Sequence, residues 1–207
     1  MLIKPFKANR PLQLMFAWLL LWWAVMAINP LHPRDWLLEN LLVFVISIVL
    51  IGTYHWFKFS NLSYFMFTIF LSMHLLGAHY TYSDTPVGFW LQDWLGWQRN
   101  HYDRIVHFSF GLLLGFPLRE ELLRLPKVKR SWSYFLTVVM VLAASAMYEV
   151  IEGMAAMIVA PDLGTAFLGT QGDQWDSQKD TFLAFSGSVV AMLLTWIWVK
   201  IKGPMIN

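Results

Sequence analysis

Apolar and polar positions along the chain separate into six long apolar runs, at residues 12–28, 36–57, 62–79, 102–118, 132–159 and 181–199. None shows the polar/apolar alternation of a half-buried strand, and each is long enough to cross a bilayer as a helix, which takes roughly 17–25 residues. The breaks between them are distinct. Asn29-Pro30 and Pro33 end the first run, residues 58–61 predict a tight turn, and 119–130 is a charged loop. Residues 160–178 form a polar, glycine-containing loop. The 80–100 connection is rich in aromatic residues: Phe89, Trp90, Trp94 and Trp97 follow Pro86 at near-helical spacing. That pattern predicts a short helix lying at the membrane interface, or rings packed over the mouth of the bundle. The expectation is an all-α, six-span membrane bundle formed by residues 1–207 as one integral membrane domain.

Composition agrees with that class. Hydrophobic residues make up 57% of the chain and mean hydropathy is +0.51, more apolar surface than a soluble domain of 207 residues could bury. The first run follows Lys4, Lys7 and Arg10 and ends near Val25-Met26-Ala27, the layout of a signal peptide. Trp18, Trp22 and Trp23 suit a membrane helix better, so the run is read as the first span. There is no cysteine, which excludes disulfides, thiolate metal sites and cysteine nucleophiles. A net charge of +2 gives no reason to expect a nucleic-acid partner.

Charge distribution is more informative than net charge. With six spans, eleven of the fifteen lysines and arginines fall on the side that holds both termini, and four (Arg34, Arg99, Arg104 and Lys179) fall on the other. Basic residues concentrate on the cytoplasmic side, so both termini are expected there. The acids run the other way: only Glu120 and Glu121 share the basic side, and eleven lie at or near the outer face.

Three polar segments meet the ends of apolar runs on that outer side. One is His101-Tyr102-Asp103-Arg104-Ile105-Val106-His107, another is Tyr148-Glu149-Val150-Ile151-Glu152, and the third is Gln171–Asp180 with Asp173, Asp176 and Asp180. Helical spacing puts Asp103 and His107 on one face and Glu149 and Glu152 on another, and it would align the three aspartates if a helix opens there. Ionisable groups inside spans face protein or water and need partners. Asp103, His107, Glu149, Glu152, Asp173, Asp176 and Asp180 are therefore expected to converge as metal ligands. Oxygen-rich ligation with one imidazole suits a divalent cation: Mg²⁺, Mn²⁺, Ca²⁺ or iron, with Zn²⁺ also open. His107 and Asp180 are the candidate catalytic residues.

Simpler readings account for parts of this set. Asp173 can be a helix N-cap, with Asp176 favoured in the first turn by the helix dipole. Arg99, Arg104 and Lys179 can build a salt-bridge network with the acids. His74 and His79 read as polar packing residues. Gly169 and Gly172 can serve a tight turn or the approach of a phosphate. Gly52, Gly111 and Gly115 suit close helix contacts, the last two as a small-xxx-small pair.

The segments Tyr-Asp-Arg-Ile-Val-His at 102–107, Tyr-Glu-Val-Ile-Glu at 148–152 and Leu-Gly-Thr-Gln-Gly-Asp-Gln-Trp-Asp-Ser-Gln-Lys-Asp at 168–180 resemble the YjdF-like family of bacterial inner-membrane proteins. That resemblance covers nearly the whole chain and implies a multi-span protein of the inner membrane, with no assigned activity. More loosely, Asp173-x-x-Asp176-x-x-x-Asp180 is similar to the Mg²⁺-holding aspartate motifs of membrane prenyltransferases and CDP-alcohol phosphotransferases. The second aspartate-rich motif of the former and the Asp-Gly-x-x-Ala-Arg of the latter are absent, and those families work at the cytoplasmic face.

Three functional classes follow. The first is a metal-dependent hydrolase or transferase acting on a lipid or phosphate-containing substrate from the bilayer. The second is a cation or small-solute carrier using the same acids. The third is a non-catalytic membrane assembly partner. The apolar cytoplasmic half of the runs disfavours a carrier.

Overall fold

The structure is a computed structural model and describes residues 5–125, 128–159 and 170–204. Lys4, Lys127 and Gly169 lie outside the described residues. Among these residues the chain is all-α, with no strand. It comprises α1 (Arg10–Met26), α2 (Pro33–Gly52), α3 (Asn61–Tyr80), α4 (Pro86–Leu95), α5 (Tyr102–Arg124), α6 (Arg130–Val159) and α7 (Asp176–Lys202), with two single 3₁₀ turns.

Four helices, α2, α3, α6 and α7, are long and apolar enough to cross a membrane by length and composition. The other two apolar runs give helices of a different kind. α1 is a shorter apolar helix of 17 residues. α5 carries Asp103 and Arg104 at one end and Arg119, Glu120, Glu121 and Arg124 at the other, leaving about 21 Å of uncharged helix between them.

α5 is the axis of the molecule, packing against α3, α6 and α7, while α3 carries α1 and α2 on its far side. Met26, Val43, Phe70, Leu71, Leu75, Tyr102, Val106 and Leu114 form the main apolar core between α1, α2, α3 and α5. Outward faces are apolar as well: Leu37, Leu41, Val45 and Ile48 form an exposed stripe on α2 at helical spacing. A contiguous apolar exterior of this kind faces lipid rather than water.

α5 and α7 approach each other closely. A Cβ placed on Gly111 would lie 1.9 Å from the Ala184 carbonyl oxygen, and one on Gly187 would lie 2.1 Å from the Phe108 carbonyl oxygen. Only glycine lets these backbones touch. Gly115 faces Ala191 more loosely, its notional Cβ at 3.2 Å. Gly52, in contrast, has nothing within 4 Å; it sits at the exposed end of α2 and mediates no helix contact.

Element ends differ from the expected runs where polar side chains find local partners. α5 continues through Pro117 into the expected charged loop because Glu120 and Arg124 pair one turn apart at 2.6 Å. Glu120, 2% exposed, also accepts from the Ser60 N–H and from the hydroxyls of Ser60 and Ser63, locking the start of α3 onto α5. The expected aromatic helix is α4, with Trp90 and Trp94 stacked and exposed; Trp97 lies beyond its end.

Candidate functional site

The polar segments meet where the start of α5, the late part of α6 and the start of α7 come together. Asn100 sets the first of them. Fully buried, it accepts from the Tyr102 N–H at 2.9 Å and donates to the Thr85 carbonyl, tying the entry of α5 to that of α4. One turn then brings Asp103 and His107 to the same face. The glycine contacts between α5 and α7 carry Asp180 against that face, and α6 brings Glu149.

Asp103, His107 and Asp180 each offer a ligand atom, and these atoms all lie within 4.8 Å of one another. His107 Nε2 is 3.5 Å from Asp103 Oδ1 and 3.3 Å from Glu149 Oε1. Glu149 also bonds Ser177. Asp180 Oδ1 and Glu149 Oε1 are buried and have no hydrogen-bond partner among the described residues. None of the ion pairs among the described residues joins an arginine or lysine to Asp103, Glu149 or Asp180.

Asp173 and Asp176 belong to a different layer. Arg104 Nη2 bridges them at 2.7 and 2.8 Å, Arg99 Nη1 lies 3.2 Å from Asp176, and Lys179 Nζ lies 2.5 Å from Asp173. Arg99 also donates to the Thr170 carbonyl, and Gln171 donates to that of Asn100, so the approach to α7 is pinned over the start of α5. Gln171 and Gly172 both have left-handed φ, 47° and 86°, which turns the chain there. The helix opens at Asp176, so Asp173 does not share a helical face with the other two aspartates. Nor is Asp173 the N-cap: Trp175 holds that position, and Asp173 instead accepts from the Trp175 N–H. The Lys179 ammonium and then the Trp175 N–H hold the Asp173 carboxyl well below the usual carboxylate range. Burial lowers His101 beside this layer, with Arg104 and Arg99 adding to the effect.

Glu152 neighbours Glu39 and Tyr148, and Glu149 and Asp103 as well. Glu39 is a functional candidate that the sequence reading left out. Only 5% exposed on α2, it accepts from the Tyr148 hydroxyl at 2.8 Å, and its main-chain carbonyl lies 2.9 Å from His74 Nε2. Tyr82 Oη is 2.5 Å from His74 Nδ1. His74 thus fits a neutral ring that donates from Nε2 and accepts at Nδ1. The signal for Glu39 was available: an acid one turn inside an apolar run needs a buried partner.

The structure therefore divides the seven expected ligands. Asp103, His107, Glu149 and Asp180 come together with no lysine or arginine ion-paired to their carboxylates among the described residues, Asp173 and Asp176 pair with arginines and a lysine above them, and Glu152 neighbours Glu39 and Tyr148.

Fold and site together define an integral membrane protein with a buried acid–imidazole cluster at one end of its helices. The chain belongs to the family described as "Predicted membrane protein (DUF2238)", which matches residues 11–201. It is also 39% identical over 159 residues to "Inner membrane protein YjdF" of Escherichia coli (strain K12), covering 76% of each chain. It is accordingly a protein of the bacterial inner membrane. No solved structure matches it.

Proposed function

We propose that Asp103, His107, Glu149 and Asp180 hold a divalent cation and that the protein is a metal-dependent hydrolase or transferase acting on a lipid head group. The bundle crosses the membrane six times, with α1 and α5 completing the set, both termini cytoplasmic and the cluster opening to the outer face. Eleven of fifteen basic residues on one side support that orientation.

One observation carries the cation reading: three ligand atoms within 4.8 Å of one another, with no lysine or arginine paired to the carboxylates among the described residues. The spacing also fits. Separations of 3.3 and 3.5 Å are longer than good N–H···O bonds. They match the edge of a tetrahedron around an ion about 2.1 Å from each ligand. Mg²⁺, Mn²⁺, Ca²⁺, iron and Zn²⁺ all accept such a donor set; Asp173 and Asp176, held by arginines, orient the start of α7 instead.

A bound cation would neutralise the acids and polarise a phosphoryl or acyl oxygen. Asp180 does the proton work through the carboxylate oxygen not given to the cation, because His107 Nε2 is itself a ligand. As water or an acceptor hydroxyl forms its new bond to phosphorus or the acyl carbon, its proton passes to that oxygen. As the ester bond breaks, that proton goes to the leaving oxygen. An ion carrier would need polar steps through the bundle, but the cavity below the cluster is walled by Phe67, Phe70, Phe110, Leu114 and Leu118.

The test is metal content by mass spectrometry on protein purified in detergent, with thermal unfolding measured with and without chelator. Wild type should carry stoichiometric metal and lose thermal stability in chelator. Asp180→Asn should lose the metal, and Asp176→Asn should keep it. Metal-free wild type whose unfolding ignores chelator would remove the reading.

A further inference from the structure

We infer that the cavity beneath the cluster is a hydrocarbon-chain site, taking one acyl chain of a phosphate-bearing lipid whose polar end lies at Asp103 and His107. The position of the polar end rests on the proposed head-group site; the chain site itself rests on the cavity.

The cavity, about 290 Å³, lies between α2, α3, α5 and α6. Its polar groups gather at one end, where Asp103 and His107 meet His74, Tyr82 and Tyr148. Away from that end its walls are aliphatic and aromatic, Leu42 and Ile46 on α2 facing Phe110 and Leu114 on α5. Leu118, at the deep end, lies fifteen residue steps along α5 from Asp103. That is about 22 Å of helix, the reach of an extended chain of about 18 carbons. The volume is at the lower edge of small-molecule sites, enough for one slender chain.

Entry is provided for. α2 packs on α3, and α6 packs on α5 and α7, but α2 and α6 are not a packed pair. The Tyr148–Glu39 hydrogen bond joins them at the polar end. Below it, the gap between two lipid-facing helices offers a lateral route for a chain from the bilayer. Empty apolar volume costs packing energy in proportion to its size, and a lipid tail is the filler the surroundings supply.

One wall residue specifies the chain further. Ser145, 2% exposed and one turn along α6 from Tyr148, has a buried hydroxyl with no hydrogen-bond partner among the described residues. A hydroxyl in an apolar wall calls for an acceptor. The ester carbonyl of an acyl lipid, a few bonds below its phosphate, supplies one at that depth.

The experiment is native mass spectrometry of delipidated protein with lysophosphatidic acids of lauroyl, palmitoyl and longer chains. Glycerol phosphate serves as the head-only probe and an ether-linked analogue as the probe lacking the carbonyl. Wild type should retain the palmitoyl lipid, reject chains much beyond about 18 carbons, and prefer ester to ether. Ile46→Trp, which narrows the cavity from half-buried α2, should bind palmitoyl lipid about tenfold more weakly with metal content unchanged. Ser145→Ala should erase the ester preference. Leu118→Trp, at the deep end, decides if Ile46→Trp unfolds. If both tryptophan variants fold and bind every chain length as wild type does, the chain site is wrong. If wild type selects chain length yet binds no metal, the chain site stands and the cation reading falls. If Asp180→Asn loses metal and wild type shows no chain selection, the reverse holds.

Discussion

Replacing Gly111 by alanine should damage the site from a full helical turn away. The added Cβ would lie 1.9 Å from the Ala184 carbonyl oxygen and 2.6 Å from the Ser188 nitrogen, both main-chain atoms that cannot rotate aside. Restoring a carbon–oxygen contact of about 3.3 Å requires α5 and α7 to separate by about 1.4 Å. Alanine gains about 1 kcal/mol of helix propensity over glycine, whereas overpacking costs about 1–3 kcal/mol and more where backbone meets backbone. A net loss of about 2 kcal/mol is expected. His107 lies one turn before Gly111 and Asp180 one turn before Ala184, so the same separation pulls the imidazole from the carboxylate. Metal distances tolerate about 0.2 Å, so on the proposed cation site Gly111→Ala should lose metal although it changes none of the four acid and imidazole side chains. Gly153, with nothing within 4 Å on α6, is the internal control. Its alanine variant should be neutral or up to about 1 kcal/mol more stable. Thermal unfolding in detergent and metal analysis of both variants provide the readout. A Gly111→Ala protein as stable and as metal-rich as wild type would refute the close crossing and its role in the site.

Glu120→Gln should destabilise the opposite end by about 3–5 kcal/mol, because an amide puts a donor among the Ser60, Ser63 and Arg124 donors and leaves Arg124 without its counter-charge; chemical unfolding in mixed micelles measures it. Asp173 has a carboxyl held below its ordinary range, so its contribution is present above the unfolded value near pH 3.9 and is lost as pH falls through the lower folded value. Thermal unfolding should therefore separate wild type from Asp173→Asn at neutral pH, with the gap shrinking below about pH 4. For orientation, a periplasmic phosphatase fused after Asn207 should be inactive and one inserted near Asp93 active, a pattern whose inversion would move the cluster to the cytoplasmic side.

Much of the fold was legible because apolar runs report membrane burial directly. The run at 62–79 became Asn61–Tyr80, and the one at 132–159 became Arg130–Val159. Misplaced ends have a common cause. Charged residues that look like loop in sequence can extend a helix when a buried partner awaits them, as Glu120 and Arg124 do at the end of α5. The start of α7 shows the converse. Helical spacing alone would align Asp173 with Asp176 and Asp180, but the Trp175 N–H and the Lys179 ammonium hold Asp173 in the turn before the helix.

For the site, spacing identified which groups share a face of α5, and the glycine pattern identified a close helix contact. What spacing could not convey was which acids receive arginine. Arg104 sits next to Asp103 in sequence, yet successive helical residues point in different directions. Its guanidinium reaches Asp173 and Asp176 across the interface, while Asp103 faces His107. One residue step on α5 thus separates a cation-rich layer from a cation-poor one. The upper layer has two carboxylates among three cations. Beneath it, Asp103, Glu149 and Asp180 share a single imidazole. Placed in the lower layer, Arg104 would give one of those acids a counter-charge from the protein. Its commitment to Asp173 and Asp176 leaves the lower acids without an arginine ion pair among the described residues, which is the condition the proposed cation would meet, and the ion pairs above act as the frame that holds α7 over the site.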